Sequence, residues 1–312
     1  MPLRQAATAA GLITGYAADS LFGDPRRGHP VALFGSWAGA LERRWWADSK
    51  PRGAAYAAVC AGAATGLGVA AQVSTRRSPF ARFALTAAAT WVVLGGRGLA
   101  AEGREMARLL VAGDVPAARA RLSHLCARDA SELDTAELTR AATESIAENT
   151  SDAVVAPLLW GAVAGLPGLL GYRALNTLDA MVGYRSPRHR NFGWAAARLD
   201  DLVNLVPSRA GAVLTALSAP LAGGQVRASL RAWRRYGSHH PSPNAGQVEA
   251  AFAGALGLRL GGTNSYGGEV ENRGTLGDGR APQPVDLRRA VRLSRVAGAA
   301  AALVAAAVAA AR

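Results

Sequence analysis

A segment near the middle of the chain carries charged residues at helical spacing. Asp134 and Glu137 form a capping box that starts a predicted helix. Four charged residues then follow on one face at i, i+4, i+8 and i+12: Arg140, Glu144, Glu148 and Asp152. Arg140 and Glu144 fit a salt-bridge ladder on a solvated face, whereas the like charges of Glu144 and Glu148 are mildly destabilising at this spacing. This row of carboxylates, which leads into an apolar segment, favours a divalent-cation site over the ladder.

Two further segments combine carboxylates with amides. Asn176 and Asp179 lie in one, and Asp200, Asp201 and Asn204 in the other, with Asn204 on the helical face of both aspartates. Arginines are interleaved with these residues. Magnesium favours a few carboxylates together with substrate phosphate oxygens. The three acidic segments therefore predict a magnesium–polyphosphate site.

Two other polar segments give weaker signals. Residues 239–246 (HHPSPNAG) hold two adjacent histidines, whose side chains point in different directions, and Glu249 follows just beyond. A metal site and a proline-rich structural turn explain this pattern equally well. Residues 261–268 (GGTNSYGG) resemble a loop whose backbone N–H groups bind phosphate. The sequence has no GxxxxGK[ST] motif, so a P-loop is not supported.

The composition indicates the class of protein to which these segments belong. The 312 residues are 50% hydrophobic and only 18% charged, which favours a membrane protein and excludes disorder. Thirty-five basic residues against 22 acidic ones give a net charge of +13, and all the basic residues except Lys50 are arginine. This excess is typical of proteins that bind nucleic acid, anionic lipid or phosphorylated substrates. Cys60 and Cys126 are the only cysteines, which excludes a disulfide scaffold.

Several apolar windows approach the length of a bilayer span, which needs about 20 residues. They are residues 53–73, 80–94, 153–172, 205–225 and 296–311, with a weaker one at 6–22. We therefore predict an all-α, polytopic integral membrane protein with about 4–6 spans. The alternative is a set of buried helices in a soluble all-α protein. The first apolar run is a poor signal peptide, and we assign it to the mature protein.

The polar segments between these windows predict a single integral membrane domain over residues 1–312. Residues 23–52, 97–152, 173–204 and 226–291 form long, arginine-rich loops or helices, which we expect on one side and converging on one site. This arrangement requires residues 153–172 to dip in and return at the break Gly165–Gly168, and Pro207 and Pro220 offer a similar break. Residues 269–286 are predicted to be a surface loop.

Several of these strings resemble the adenosylcobinamide-phosphate synthase family of cobalamin biosynthesis, the CobD/CbiB type. The resemblance runs in order over most of the chain, from about residue 15 to residue 268. The strings are DPRRGHPV at 24–31, ESIAENTSD at 144–152, NTLDAMVGY at 176–184, FGW at 192–194, ARLDD at 197–201 and HPSPNAG at 240–246.

The resemblance implies a multi-pass bacterial inner-membrane enzyme whose active face is cytoplasmic. Such an enzyme joins adenosylcobyric acid, a corrinoid, to (R)-1-amino-2-propanol O-phosphate or ethanolamine phosphate, with ATP as co-substrate and magnesium as cofactor. The implied partners are these substrates, the lipid bilayer and other corrinoid-pathway enzymes, but no nucleic acid.

The charges of the matching residues suggest their roles in this reaction. The catalytic candidates are Glu144, Glu148, Asp152, Asp200 and Asp201. The metal candidates are Glu148, Asp152, Asp179, Asp200 and Asp201. The candidates for binding substrate or phosphate are Arg26, Arg27, His29, Asn149, Asn176, Arg185, Arg188, Arg198, Asn204, His240 and Asn244.

Two other classes of protein fit parts of this pattern. An intramembrane prenyltransferase also gathers Asp and Asn around magnesium and diphosphate, but the DxxxD spacing usual in its motifs is not found here. A non-catalytic transporter or a scaffold for corrinoid assembly would need few polar residues converging on one face. Product formation that depends on ATP separates the synthase from both.

Overall fold

The chain folds into helices and one β-hairpin. The computed structural model describes residues 2–25, 28–184, 186–266 and 269–312, with backbone only for residues 2, 264–266 and 269–271. In chain order the helices are α1 (Pro2–Phe22), α2 (Pro30–Trp45), α3 (Lys50–Ser74), α4 (Pro79–Val93), α5 (Gly96–Val111), α6 (Val115–Leu122), α7 (Thr135–Thr150), α8 (Ala156–Ala164), α9 (Leu166–Val182), α10 (Trp194–Ser218), α11 (Val226–Tyr236), α12 (Ala245–Leu256) and α13 (Asp286–Ala311). The strands are β1 (Leu260–Tyr266) and β2 (Glu269–Leu276).

The chain divides into two compact units. Unit 1 comprises Met1–Gly95, Ala156–Asn204 and Ala301–Arg312. Unit 2 comprises Gly96–Val155 and Leu205–Ala300. In unit 1 the longest packing faces are those of α1 with α4 and of α3 with α9, whereas unit 2 is built around α5, α7, α11 and α12. The convergence of all four polar segments on one site stays a prediction.

The prediction of an all-α protein with several apolar helices is confirmed. Four helical stretches in the described part of the chain are long and apolar enough to cross a membrane. They are Lys50–Ser74, Pro79–Val111, Trp194–Ala222 and Asp286–Ala311. Three of them contain an apolar window found in the sequence, and Trp194–Ala222 covers all but the last three residues of the window 205–225. The weaker window at residues 6–22 forms α1 but is not among these four.

The predicted break in the apolar window 153–172 is present. Helix α8 ends at Ala164, Gly165 has a φ of 68°, and α9 starts at once with Pro167 in its first turn. A positive φ suits glycine, and proline fits the first turn because its missing N–H has no helical partner there. With 9 residues, α8 is too short to cross a bilayer at about 1.5 Å per residue.

The expected break at Pro207 was wrong, because α10 continues through this residue to Ser218. Proline cannot donate the hydrogen bond that Val203 O would receive in a regular helix. The indole Nε1–H of Trp160 donates to Val203 O instead, at 3.0 Å. This side chain supplies the missing donor, so the helix need not bend away. Pro220 lies in the 3₁₀ turn Ala219–Ala222 that ends the apolar stretch.

The surface loop expected at residues 269–286 was wrong over 269–276, which form a strand, whereas 277–285 are irregular as predicted; the phosphate loop expected at 261–268 was wrong over 261–266. Strands β1 and β2 pair antiparallel, with Leu260 opposite Leu276 and a register shift between Gly261 and Thr263. The two leucines are buried against alanines of α12, which gives the hairpin an apolar base. The polar, glycine-rich composition of these residues gives no strand signal, because only the ends of the hairpin are apolar. Residues 267–268 lie outside the described residues.

Candidate functional site

Helix α7 begins where the capping box predicted. The Asp134 side chain accepts a hydrogen bond from Glu137 N–H at 2.8 Å, and Glu137 Oε2 accepts one from Asp134 N–H at 3.0 Å. The helix ends in a π-helical turn, Ser151–Val155, which contains Asp152. A π turn inserts one residue into the helical spacing, and such turns are frequent at functional sites. The turn therefore changes the direction of the Asp152 side chain relative to the other carboxylates of α7.

Glu144 is buried at the centre of unit 2, with 2% of its side chain exposed. Arg128, whose side chain is equally buried, donates from its NH2 group to Glu144 Oε2 at 2.6 Å. The backbone N–H of Gly261 donates to Oε1 at 2.8 Å. Arg140 lies 3.5 Å from the same oxygen and also donates to Gly261 O. The Arg140–Glu144 ion pair therefore exists, but it is buried under β1 and does not lie on a solvated face.

The rest of the α7 face is half-buried. Glu148 and Asp152 are both of intermediate exposure, and Glu148 acts electrostatically on Glu249 of α12. Asn149 donates to Ser145 O at 2.9 Å and to Ser145 Oγ at 3.1 Å, so its amide nitrogen is engaged within the helix. Glu144 and Glu148, whose like charges disfavour a salt-bridge ladder, thus act electrostatically on the buried carboxyl group of Glu249.

His240 and Asn244 lie at the approach to α12. His240 Nδ1 accepts a hydrogen bond from Ser242 N–H at 2.9 Å, and its Nε2 lies 4.0 Å from Glu249 Oε1. Burial lowers the pKa of His240 to about 4, so the imidazole is neutral at pH 7. Asn244, next to α12, accepts a hydrogen bond from Ser208 Oγ at 3.1 Å. Both predicted ligand-binding residues are therefore buried in unit 2.

Burial also acts on Glu249. It raises the pKa of the Glu249 carboxyl well above its usual range, and the charges of Glu144 and Glu148 act in the same direction. Arg273 and Arg128 oppose this shift. The surroundings therefore disfavour the charged form of this carboxyl group.

A second cluster, in unit 1, surrounds Asp200. Asn204 Nδ2 donates to Asp200 Oδ2 at 3.0 Å, and Asn176 Nδ2 lies 3.5 Å from Oδ1. Each amide oxygen is held in turn: Tyr172 OH donates to Asn204 Oδ1 at 3.0 Å and Arg173 to Asn176 Oδ1 at 3.3 Å. The predicted shared face of Asn204 and Asp200 is confirmed. The network holds Asp200, a residue of α10 that is only 9% exposed, against α9.

The aspartates of this cluster suit magnesium held mainly by substrate phosphate. Asp179 and Asp201 act electrostatically on Asp200, and both are partly exposed. In the described part of the chain, no three or more His, Cys, Asp or Glu side chains are placed to hold a metal ion by themselves. Magnesium on a nucleotide needs only one or two protein carboxylates and keeps several waters. The residues present fit that mode, and the individual metal assignments stay predictions.

The remaining described candidates in unit 1 are His29, Arg188 and Arg198, of which His29 and Arg188 make contacts outside the Asp200 cluster. His29 is the N-cap of α2, accepts from Val31 N–H at 3.2 Å and lies 3.7 Å from Asp24. Arg188 pairs with Glu42 at 3.3 Å and stacks over the Trp46 ring. Arg198 is exposed on α10. The predicted residues Arg26, Arg27 and Arg185 lie outside the described residues.

The sequence interpretation assigned no role to several residues that complete these clusters. Arg128 pairs with a glutamate 16 positions away, and Tyr172 bonds an asparagine 32 positions away. Neither residue belongs to a periodic pattern, so no local signal pointed to it. Glu249 had one usable signal, because it is the only charged residue in the apolar helix α12.

Taken together, these helices and clusters define a multi-pass helical membrane protein with buried charged networks. Comparison with known proteins identifies the family to which the chain belongs. The model of the CobD/CbiB protein family matches residues 12–294. The cobalamin biosynthesis protein CobD of Mycobacterium tuberculosis H37Rv is 56% identical over 298 residues, which cover 95% of this chain and 94% of that protein. The chain belongs to the CobD/CbiB family.

Similar relatives occur in distant bacteria. The cobalamin biosynthesis protein CobD of Geobacter metallireducens is 43% identical, covering 88% of this chain and 87% of the relative. That of Rhodobacter capsulatus is 41% identical and covers 86% of each. No solved structure gives a significant match. The chain is therefore a cobalamin biosynthesis protein of this family.

Proposed function

We propose that the protein is an adenosylcobinamide-phosphate synthase, which forms an amide bond between adenosylcobyric acid and an amino-alcohol phosphate at the expense of ATP. The observation that carries this proposal is the family match over residues 12–294, which includes all of the candidate residues. The buried carboxylate–amide network around Asp200 supports it, because such a network can hold a magnesium nucleotide in fixed geometry.

The chemistry requires activation, because a carboxylate is a poor acyl donor. The γ-phosphoryl group of ATP passes to an oxygen of the corrinoid propionate, which gives an acyl phosphate and ADP. The amine nitrogen attacks the acyl carbon, phosphate leaves with the bonding electrons, and the nitrogen loses a proton to a carboxylate base. Arginines neutralise the charge that develops on the transferred phosphoryl group.

The candidate residues divide these tasks in our proposal. Asp179, Asp200 and Asp201 hold magnesium, which when bound neutralises charge on the ATP phosphates. Arg188 and Arg198, with the arginines at 26, 27 and 185, bind phosphate groups. Asn176 and Asn204 keep Asp200 in place. The site faces the cytoplasm, because ATP is supplied there.

The direct test uses detergent-purified protein with adenosylcobyric acid, aminopropanol phosphate, ATP and magnesium. Mass spectrometry detects the amide product, and a reaction without ATP is the control. Product that depends on ATP supports the proposal. The synthase assignment fails if folded protein supplied with magnesium forms no amide product and an added corrinoid-pathway enzyme does not restore product formation. A scaffold or transporter role then replaces it.

Replacing Asp200 with Asn tests the role of the carboxylate. Asp200→Asn removes the charge but keeps the size, so we expect kcat to fall by about 100-fold or more, while membrane insertion is unchanged. The matched control is Asp48→Asn, at an exposed aspartate in unit 1 that accepts a hydrogen bond from Asn191. Full activity of Asp200→Asn would remove this aspartate from the magnesium assignment.

A further inference from the structure

Glu249 is an enclosed carboxyl group that the protein itself does not satisfy. Its side chain is 0% exposed within the apolar helix α12, between buried alanines and Phe252. Neither carboxyl oxygen has a hydrogen-bond partner among the described residues. A buried carboxyl group without hydrogen-bond partners is destabilising. Such a group is expected where a ligand supplies the missing hydrogen bonds.

His240 faces Glu249 and is fixed in one tautomer. Because Nδ1 accepts the hydrogen bond from Ser242 N–H, the neutral imidazole carries its proton on Nε2. That nitrogen lies 4.0 Å from Glu249 Oε1, which is too long for a hydrogen bond, and has no other partner among the described residues. A gap between a carboxyl acceptor and an N–H donor is thus left within unit 2.

The charges around this gap have both signs. Arg128 and Arg273 act electrostatically on both Glu249 and His240, while Glu144 acts on Glu249 from α7. Arg273 comes from β2, whose base packs on α12 through Leu276. A ligand with a cationic end and an anionic end therefore finds complementary partners for both ends here, whereas a purely anionic or purely cationic ligand pairs with only one set of these groups.

We propose that Glu249 and His240 bind the amino-alcohol phosphate, with Glu249 accepting hydrogen bonds from its ammonium group. His240 Nε2–H then donates to an oxygen of the phosphate ester, and the arginines attract the phosphate. The proposal rests on the proposed synthase function, which supplies a substrate with an amine two carbons from an ester oxygen. Because Glu249 is enclosed, part of unit 2 must move to admit the ligand.

An ammonium group suits the gap better than a metal ion. Magnesium requires near-octahedral oxygen ligands and retains waters, but α12 lines the gap with apolar side chains. An ammonium group donates three hydrogen bonds and accepts none, which matches two carboxyl oxygens without donors. A buried water that bridges the two polar groups is the alternative occupant, and the experiment separates it from the ligand.

The test compares two ligands on one variant. Calorimetry on the full-length protein in detergent measures the Kd of ethanolamine phosphate and of ethyl phosphate, which lacks the amine. For Glu249→Gln we expect about 10- to 100-fold weaker binding of ethanolamine phosphate and unchanged binding of ethyl phosphate. Glu132→Gln, at an exposed glutamate of unit 2, is the matched control and should bind both ligands like the wild type.

Equal loss for both ligands, or loss for neither, would overturn the proposal and leave a structural carboxyl group bridged by water. If Glu249→Gln does not fold, Glu249→Asp is the second variant. It keeps the carboxyl group on a shorter side chain and should weaken the binding of ethanolamine phosphate but not that of ethyl phosphate. The two proposals fail separately. Wild-type protein that binds the amine through Glu249 but makes no amide contradicts the synthase reaction alone. Amide formation with an unchanged KM for the amine in Glu249→Gln contradicts the binding site alone.

Discussion

At the scale of single residues, buried charges are the main feature of unit 2. Arg128 and Glu144 each expose 2% of their side chains and lie 2.6 Å apart. Two charges taken out of water are tolerated only when hydrogen bonds replace their hydration, and Glu144 receives these from Arg128 and from Gly261 N–H. The pair therefore joins the segment before α7 to the hairpin base.

Removing one partner of this pair should be costly. Arg128→Ala leaves Glu144 without its closest counter-ion, so we expect a loss of about 3–5 kcal/mol in the free energy of unfolding. Arg108→Ala breaks the exposed Arg108–Glu105 pair and should have little measurable effect. Denaturant titration in mixed micelles checks both. The double change Arg128→Met with Glu144→Gln should lose less than Arg128→Ala, and equal losses would contradict the buried-charge explanation.

At the scale of elements, glycines decide how closely the apolar helices approach their neighbours. On α3, a Cβ at Gly53 would lie 1.8 Å from Phe192 O, whereas one at Gly62 meets nothing within 4 Å. Phe192 is completely buried, and its ring packs on that of Tyr56 of α3, with ring centroids 5.1 Å apart. The small residue at position 53 thus permits contact between α3 and the segment that precedes α10.

Two matched substitutions on α3 test this contact. Gly53→Ala must displace the backbone at Phe192, and we expect a loss of about 1–3 kcal/mol in the free energy of unfolding. Gly62→Ala adds the same methyl group in open space and should be neutral or stabilising by up to about 1 kcal/mol. Unfolding of both variants in the same detergent gives the comparison. A Gly53→Ala protein as stable as Gly62→Ala would show that the close approach is unimportant.

At the scale of the whole molecule, the chain is a multi-pass membrane protein with four candidate spans in its described part. Helix α3 is one of them, with Arg52 exposed at its first turn and Arg77 exposed beyond its end. If α3 crosses the bilayer, these positions lie on opposite sides. The segment before α3 belongs to the predicted site, and the proposed function places that site on the cytoplasmic side because it uses ATP.

Cysteine labelling tests this orientation. In a chain whose Cys60 and Cys126 are replaced by alanine, Arg52→Cys should react with an impermeant maleimide only in inside-out vesicles. Arg77→Cys should react only from the outside of intact spheroplasts. Detergent-solubilised protein, in which both should react, is the control. Labelling of both positions from one side would show that α3 does not span the bilayer.

Features that depend on neighbours within about four residues could be predicted from the order of the amino acids alone. The capping box of α7, the break at Gly165 and the apolar helices follow from side-chain type and helical period, and the motifs gave the family. The pairing of Asn204 with Asp200 belongs to the same class, since i,i+4 residues meet on any helix.

Contacts between distant segments could not be predicted in this way, because they depend on how the helices pack. Helix α10 passes through Pro207 because Trp160, far away in the sequence, donates to the carbonyl that proline leaves unpaired. Arg128, from outside α7, joins Arg140 in neutralising Glu144, and the glycine-rich segment at 261 becomes a strand because its ends bury leucines on α12. Periodicity cannot reveal such partners, because packing brings them together and the burial of unpaired polar groups selects the arrangement that satisfies them.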